Sequence, residues 1–216
     1  MALLQSNDIN EIITTCHTMS MISVERFLNN IMSVQHVEMH NIPGDIVEIG
    51  VYKGGSILSM MLAYEKLGGA GRNFHLYDTF EGMTPPTADD VDLNGEDSQK
   101  LMDENPFFKC VGLLPEVKAN IQKHTTIQPQ YHVGDILKNA FYPDQIAVLR
   151  LDTDWYESTK FELEHFYDKV ACGGIVIVDD YGHWKGCKKA VDEFLEKHPE
   201  IEIQNIDYTG IYFIKP

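Results

Sequence analysis

Residues 45–68, DIVEIGVYKGGSILSMMLAYEKLG, read as a strand, a glycine turn and a helix in immediate succession. Asp45 to Ile49 carries Ile46, Val47 and Ile49 alongside its two acidic residues, Gly50 follows it directly, and Gly54-Gly55 opens a helix that stops at Gly68-Gly69. The same alternation continues along the chain. NFHLYDTF is a second strand ending near Asp78, PEVKANIQKH a helix, QPQYHVGD a third strand and IAVLRLDTD a fourth. STKFELEHFYDKV is then a helix, GGIVIVDD a fifth strand and GCKKAVDEFLEKH another helix. IEIQNID and GIYFIKP close the chain as two strands joined at Tyr208 to Gly210. Alternating helices and near-continuous apolar strands predict an α/β fold, a mostly parallel sheet of seven strands with helices on both faces. So short a final connection cannot make a parallel crossover, so the last strand is expected to run antiparallel.

Residues 1–40 are expected to form a helical extension, in which Ile22, Phe27, Ile31 and Val34 share one face. That face packs over the end of the sheet or against a partner subunit. Residues 41–216 form the main domain, with neither repeat nor linker.

Composition narrows the function. A chain of 216 residues, 44% hydrophobic, can fill one core. No run approaches the roughly 18 apolar residues of a membrane span, and MALLQSNDINEII lacks the basic-then-apolar order of a signal peptide. Four cysteines without C-x-x-C spacing read as reduced thiols, so a cytoplasmic location is expected. A formal charge of −16 opposes nucleic acid or an anionic membrane as partner. The expected ligand is small, and either neutral or brought in with a cation.

The glycine turn lacks the G-x-G-x-x-G spacing of a dinucleotide fingerprint. Taken alone it needs only small residues between a strand and a helix. Asp78, however, stands at the end of the next strand, where a carboxylate can accept hydrogen bonds from ribose hydroxyls. Glu48, Gly50, Asp78 and Gly134-Asp135 all fall at the carboxyl edge of the sheet, where such folds bind ligands.

The element order resembles the adenosylmethionine-dependent methyltransferase fold, including its antiparallel last strand. YDTFEGMTPPT (77–87), LRLDTDWYEST (149–159) and VIVDDYGHWKGCKKAVDEF (176–194) look like the macrocin O-methyltransferase (TylF-like) family. Its members are metal-dependent enzymes that methylate sugar hydroxyls of natural products. The likeness covers about residues 40–216. It implies a Rossmann-like class I methyltransferase fold and S-adenosyl-L-methionine as cofactor, held by Glu48, Gly50, Gly54, Ser56, Asp78, Thr79, Gly134, Asp135 and Asp152. By the same resemblance Asp152, Asp179 and Asp180 match divalent-metal ligands. Asp154 matches a residue that is the general base in some members, while others use a different one. A homo-oligomer built on the N-terminal helices rests partly on this likeness. The acceptor is not fixed by it, because members differ most in their loops and N-terminal portions.

A physical reading of the aspartates runs in parallel. Strands four and five are neighbours in this order, so Asp152 and Asp179-Asp180 end side by side. Close carboxylates repel and take up protons unless a cation intervenes. Oxygen-only ligands suit Mg2+, with Mn2+ or Ca2+ able to substitute. Side chains at i and i+2 of an extended strand share a face, which brings Asp154 near Asp152. A hydroxyl bound there, on a sugar, a polyol or a catechol-type phenol, would lose its proton to Asp154. The D-x-D pattern also occurs in metal-dependent glycosyltransferases, and Asp179 or Asp180 alone could cap the following helix. His183 is a second candidate base, although with Trp184 it reads equally as packing. Arg150, within an apolar strand, calls for a buried carboxylate, and Glu48 is its expected partner. Met60, Met61 and Leu62 read as core or interface, Glu162 and Glu164 as a solvated helix face. Residues 84–112, acidic and proline-bearing with Phe107-Phe108 near the end, read as a lid anchored by those aromatics or as a solubilising loop.

Overall fold

The computed structural model describes residues 3–139 and 141–216. Two helices, α1 (Ser6–Cys16) and α2 (Val24–Met39), precede strand β1 (Asp45–Ile49) and helix α3 (Gly55–Lys66). There follow β2 (Phe74–Asp78), α4 (Ser98–Glu104), α5 (Leu114–Gln122), β3 (Gln130–Val133), β4 (Ile146–Leu151) and α6 (Tyr156–Phe166). The chain ends with β5 (Val170–Val178), α7 (Lys185–Lys197), β6 (Gln204–Asn205) and β7 (Ile211–Ile214). The strands form one sheet in the order β3-β2-β1-β4-β5-β7-β6. All pairings are parallel except those of β7, which runs antiparallel to both β5 and β6. The expected α/β architecture and antiparallel last strand are therefore both present. Among the described residues no helix is long and apolar enough to cross a membrane.

Period-two alternation along the strands divides the core into two layers. Ile46, Val148 and Ile177 face α1, α2, α3 and α5, packing with Ile12, Phe27, Ile31, Ile57 and Val117. Val47, Leu149, Val176 and Val178 face α6 and α7, packing with Leu163, Phe166, Val191 and Phe194. The N-terminal helices thus lie in the same layer as α3, with Phe27, Ile31 and Val34 buried as one stripe. Ile22 does not belong to that helical face. Ser23 caps α2 by accepting the Arg26 N–H at 3.1 Å, so the helix begins one residue beyond the cap.

Residues 84–112 carry structure of their own. Asp97 caps α4 through the Lys100 N–H at 2.9 Å. Asp90 is buried, accepts from Thr87 N–H and hydroxyl (2.7 and 2.8 Å), and takes the Tyr156 N–H at the start of α6 at 2.7 Å. Trp155 donates its indole N–H to the Thr84 carbonyl at 2.9 Å. The acidic run is therefore a tether at this point rather than a solvated tail. Phe107 is 61% exposed, so it does not supply the expected anchor.

Candidate active site

A cavity of about 530 Å³ opens at the carboxyl ends of β1, β2, β4 and β5, at the β1/β4 switch in strand order. Its base is the glycine turn, with Gly50, Val51, Tyr52 and Ser56. Asp78, Thr79, Gly134 and Asp135 line one side; Asp152, Asp154, Asp179, Asp180, His183 and Trp184 line the other. Met21 and Ile22, just before α2, and Arg26 within it close one end; Met83, Phe107 and Phe108, in and beside the 84–112 segment, close the other.

Gly50 is dictated by close approach. It sits at φ +86°, and a Cβ there would fall 1.9 Å from the Asp152 carbonyl oxygen. The ends of β4, β1 and β2 are locked together by Asp152 N–H on the Ile49 carbonyl and Gly50 N–H on that of Tyr77, each at 2.8 Å. Asp78 braces the same turn. One oxygen accepts the Val51 and Tyr52 N–H groups at 2.6 and 3.1 Å, and the other accepts Phe80 N–H at 2.7 Å. Burial raises this carboxyl above the ordinary carboxylate range against those donors. The Thr79 hydroxyl lies 3.4 Å from that second oxygen but donates to the Gly82 carbonyl at 2.6 Å, so of about four acceptor positions Asp78 keeps one for a ligand.

Two of the residues expected at the cofactor do not line the cavity. Gly54, at φ +88°, lies behind it, where its missing Cβ lets α3 approach Val117 of α5. Glu48 is wholly buried beneath the floor, pairing with Arg150 at 3.2 Å as its sequence neighbourhood required. Burial lifts Glu48 to about 8 in spite of Arg150, and its second oxygen has no partner among the described residues.

Carboxylate oxygens of Asp152, Asp154 and Asp180 lie within 4.8 Å of one another. Asp179 turns away from this group. One of its oxygens is taken by Arg150 and the other by Arg26, and Arg26 also reaches Asp207 at 2.9 Å. Arg150 holds Asp152 as well, at 2.5 Å. Burial and the Asp152 charge push Asp154 up to about 8, while burial and its acidic neighbours push Asp180 well above the ordinary range. Asp179 rises only to about 6, because Arg150 and Arg26 oppose its burial. The helix-capping alternative does not apply: α7 has Trp184 at its N-cap position and receives no side-chain cap.

Asp152 and Asp154 do not converge as alternate residues of an extended strand. β4 ends at Leu151, and Asp154 has φ +69°, so a tight turn brings the two carboxylates together. His183 lies at the cavity half-buried, with burial lowering its pKa. Three residues take roles here that the sequence reading did not give them. Arg26 comes from α2, where it is the sole Lys or Arg, flanked by the buried Phe27. Glu162, expected in solvent, is completely buried and accepts the Thr153 hydroxyl at 2.7 Å. Its stripe was legible, since Ser158, Thr159, Glu162, Leu163 and Phe166 share the buried face of α6. The third is Trp184, whose indole N–H donates to Asp154 at 2.8 Å.

The family described as Macrocin-O-methyltransferase (TylF) matches residues 11–215. A demethyldecarbamoylnovobiocin O-methyltransferase of Streptomyces niveus is 34% identical over 200 residues, covering 90% of this chain and 74% of that protein. The 8-demethyl-8-(2,3-dimethoxy-alpha-L-rhamnosyl)-tetracenomycin-C 4'-O-methyltransferase of Streptomyces olivaceus is 32% identical, over 93% of this chain and 76% of its own. The solved structure of the O-methyltransferase NovP superposes with a TM-score of 0.78 at 32% identity, covering 91% of this chain and 82% of that one.

Proposed function

Because the chain belongs to the macrocin O-methyltransferase family and is an O-methyltransferase, we propose that it uses S-adenosylmethionine and a divalent cation to methylate a hydroxyl of a sugar or polyol. A glycosylated natural product is the acceptor class, by analogy with the named substrates of the two Streptomyces relatives. The observation that carries this reading is the meeting of Asp152, Asp154 and Asp180 at the cavity wall. Close carboxylates repel one another, and Asp154 and Asp180 are driven toward protonation here, whereas oxygen ligands of this kind suit Mg2+, Mn2+ or Ca2+. Asp152 and Asp180 would hold the ion, and Asp179 would join them only by giving up one of its arginine pairs. When bound, the sulfonium cofactor supplies an electrophilic methyl group, and the cation lowers the pKa of a nearby hydroxyl.

The protein's own groups do the rest. Gly50, Ser56, Asp78, Thr79, Gly134 and Asp135 offer the polar surface for the cofactor, with Glu48 and Gly54 shaping the floor behind them. Asp154 takes the hydroxyl proton as the carbon–oxygen bond forms and the sulfur–carbon bond breaks, a contribution of about 10²–10⁴-fold. His183 lies close enough to the site to contact the acceptor. The apolar residues Met83 and Phe108 exclude water, and residues 84–112 act as the lid that admits the acceptor.

The test is transfer of labelled methyl from adenosylmethionine to methyl rhamnoside and to demethyldecarbamoylnovobiocin, with Mg2+ or with EDTA. Label in the sugar only when Mg2+ is present supports the reading. Equal labelling in EDTA would remove the cation from it.

A further inference from the structure

Residues 152–154 turn sharply after β4. The Trp155 N–H donates to the Thr153 carbonyl at 2.8 Å, with Asp154 between them at φ +69°. This is a γ-turn of the rare, strained hand. Such backbone persists only where its surroundings over-determine it. Each residue of the turn has its own side-chain partner: Arg150 on Asp152, Glu162 on Thr153, and Trp184 on Asp154. Only the last touches the carboxylate assigned above as the base.

Trp184 is itself held on several sides. It is buried, and its ring meets Trp155 edge to face at 5.2 Å. Its backbone N–H binds the Asp180 carbonyl at 3.1 Å, and the following Lys185 N–H binds the Val91 carbonyl at 2.9 Å. The donor therefore cannot follow Asp154 if that side chain rotates.

We propose that Trp184 is a positioning residue for methyl transfer: its indole N–H pins Oδ2 of Asp154, leaving the other oxygen to receive the acceptor proton. This rests on the reading of Asp154 as the base. An indole N–H is a donor with no acceptor capacity, so it fixes the carboxylate without competing for the proton. One such bond sets the rotation of the carboxylate plane, and misplacement of a reacting group by about 1 Å costs on the order of 10²-fold in rate.

The chain offers a direct readout, because its 216 residues contain two tryptophans and hence two indole N–H resonances. Trp184→Phe, which keeps an aromatic ring and removes the donor, identifies one of them. In Asp154→Asn that resonance should move upfield while that of Trp155 stays in place. With methyl rhamnoside as acceptor, Trp184→Phe should lower kcat about 10- to 100-fold. KM for acceptor and for adenosylmethionine should change less than about twofold, and the variant should add no loss on top of Asp154→Asn. An indole resonance indifferent to Asp154→Asn overturns the proposal even if Trp184→Phe fails to fold. Wild-type turnover in Trp184→Phe beside an inactive Asp154→Asn also overturns it, and leaves the base in place. An active Asp154→Asn removes the base, and the positioning role with it.

Discussion

Asp154→Asn should make the cation-free protein more stable while nearly abolishing its activity. Asn matches the shape of Asp, tolerates the left-handed backbone at φ +69°, and can still accept the Trp184 N–H. What changes is the charge. The site lifts Asp154 from 3.8 to about 8, so its ionised form is disfavoured in the folded state. Below about pH 4 the carboxyl is protonated in both folded and unfolded chains, and the substitution gains nothing. As pH rises toward 8 the unfolded chain ionises freely and the folded one does not, so stability falls. Each tenfold difference is about 1.4 kcal/mol, which makes the full penalty several kcal/mol. Relaxation and water entry reduce it to about 2–3 kcal/mol. At about 2–4 °C per kcal/mol for a chain of this size, Tm in EDTA at pH 8 should rise by about 4–12 °C. Thermal unfolding of both proteins from pH 4 to pH 8 checks this, with and without Mg2+. The gap should widen with pH in EDTA and shrink when Mg2+ is added. A variant no more stable than wild type at pH 8 in EDTA would refute the claim of uncompensated charge.

Mg2+ binding to wild type, followed by calorimetry, should strengthen as pH rises from 6 to 8 and release protons, since Asp154 and Asp180 are both raised; pH-independent binding without proton release counts against those carboxylates as the site. Gly50→Ala should destabilise by about 3 kcal/mol or more and abolish adenosylmethionine binding, because its Cβ would fall 1.9 Å from the Asp152 carbonyl at a positive φ. Denaturant unfolding and a cofactor titration measure the two effects. Asp90→Ala should cost about 1–2 kcal/mol and open residues 84–112 to limited proteolysis, since it removes the group that ties this segment to the start of α6. Phe107→Ala should leave the cleavage rate unchanged, because its ring is mostly in solvent.

How much was legible beforehand depended on whether the information was local. The strand–turn–helix order, the parallel sheet and the antiparallel last strand follow from periodicity and connection length, which are written in neighbouring residues. So does the arrival of Asp152, Asp179 and Asp180 at one edge, because a parallel sheet carries every strand's carboxyl end to the same side. The Glu48–Arg150 pair was predictable too, as both sit in apolar strands that the order β1-β4 makes adjacent. The direction in which each carboxylate faces was not. Asp179 is turned by Arg26, 153 residues away, and Asp154 is held by Trp184, 30 residues away. Glu162 falls on the same helical stripe as Leu163 and Phe166, so its burial was legible, but its partner, the Thr153 hydroxyl, was not. Pattern places a charged group at an edge; its partners, and hence its ionisation and its aim, exist only once distant segments are packed together.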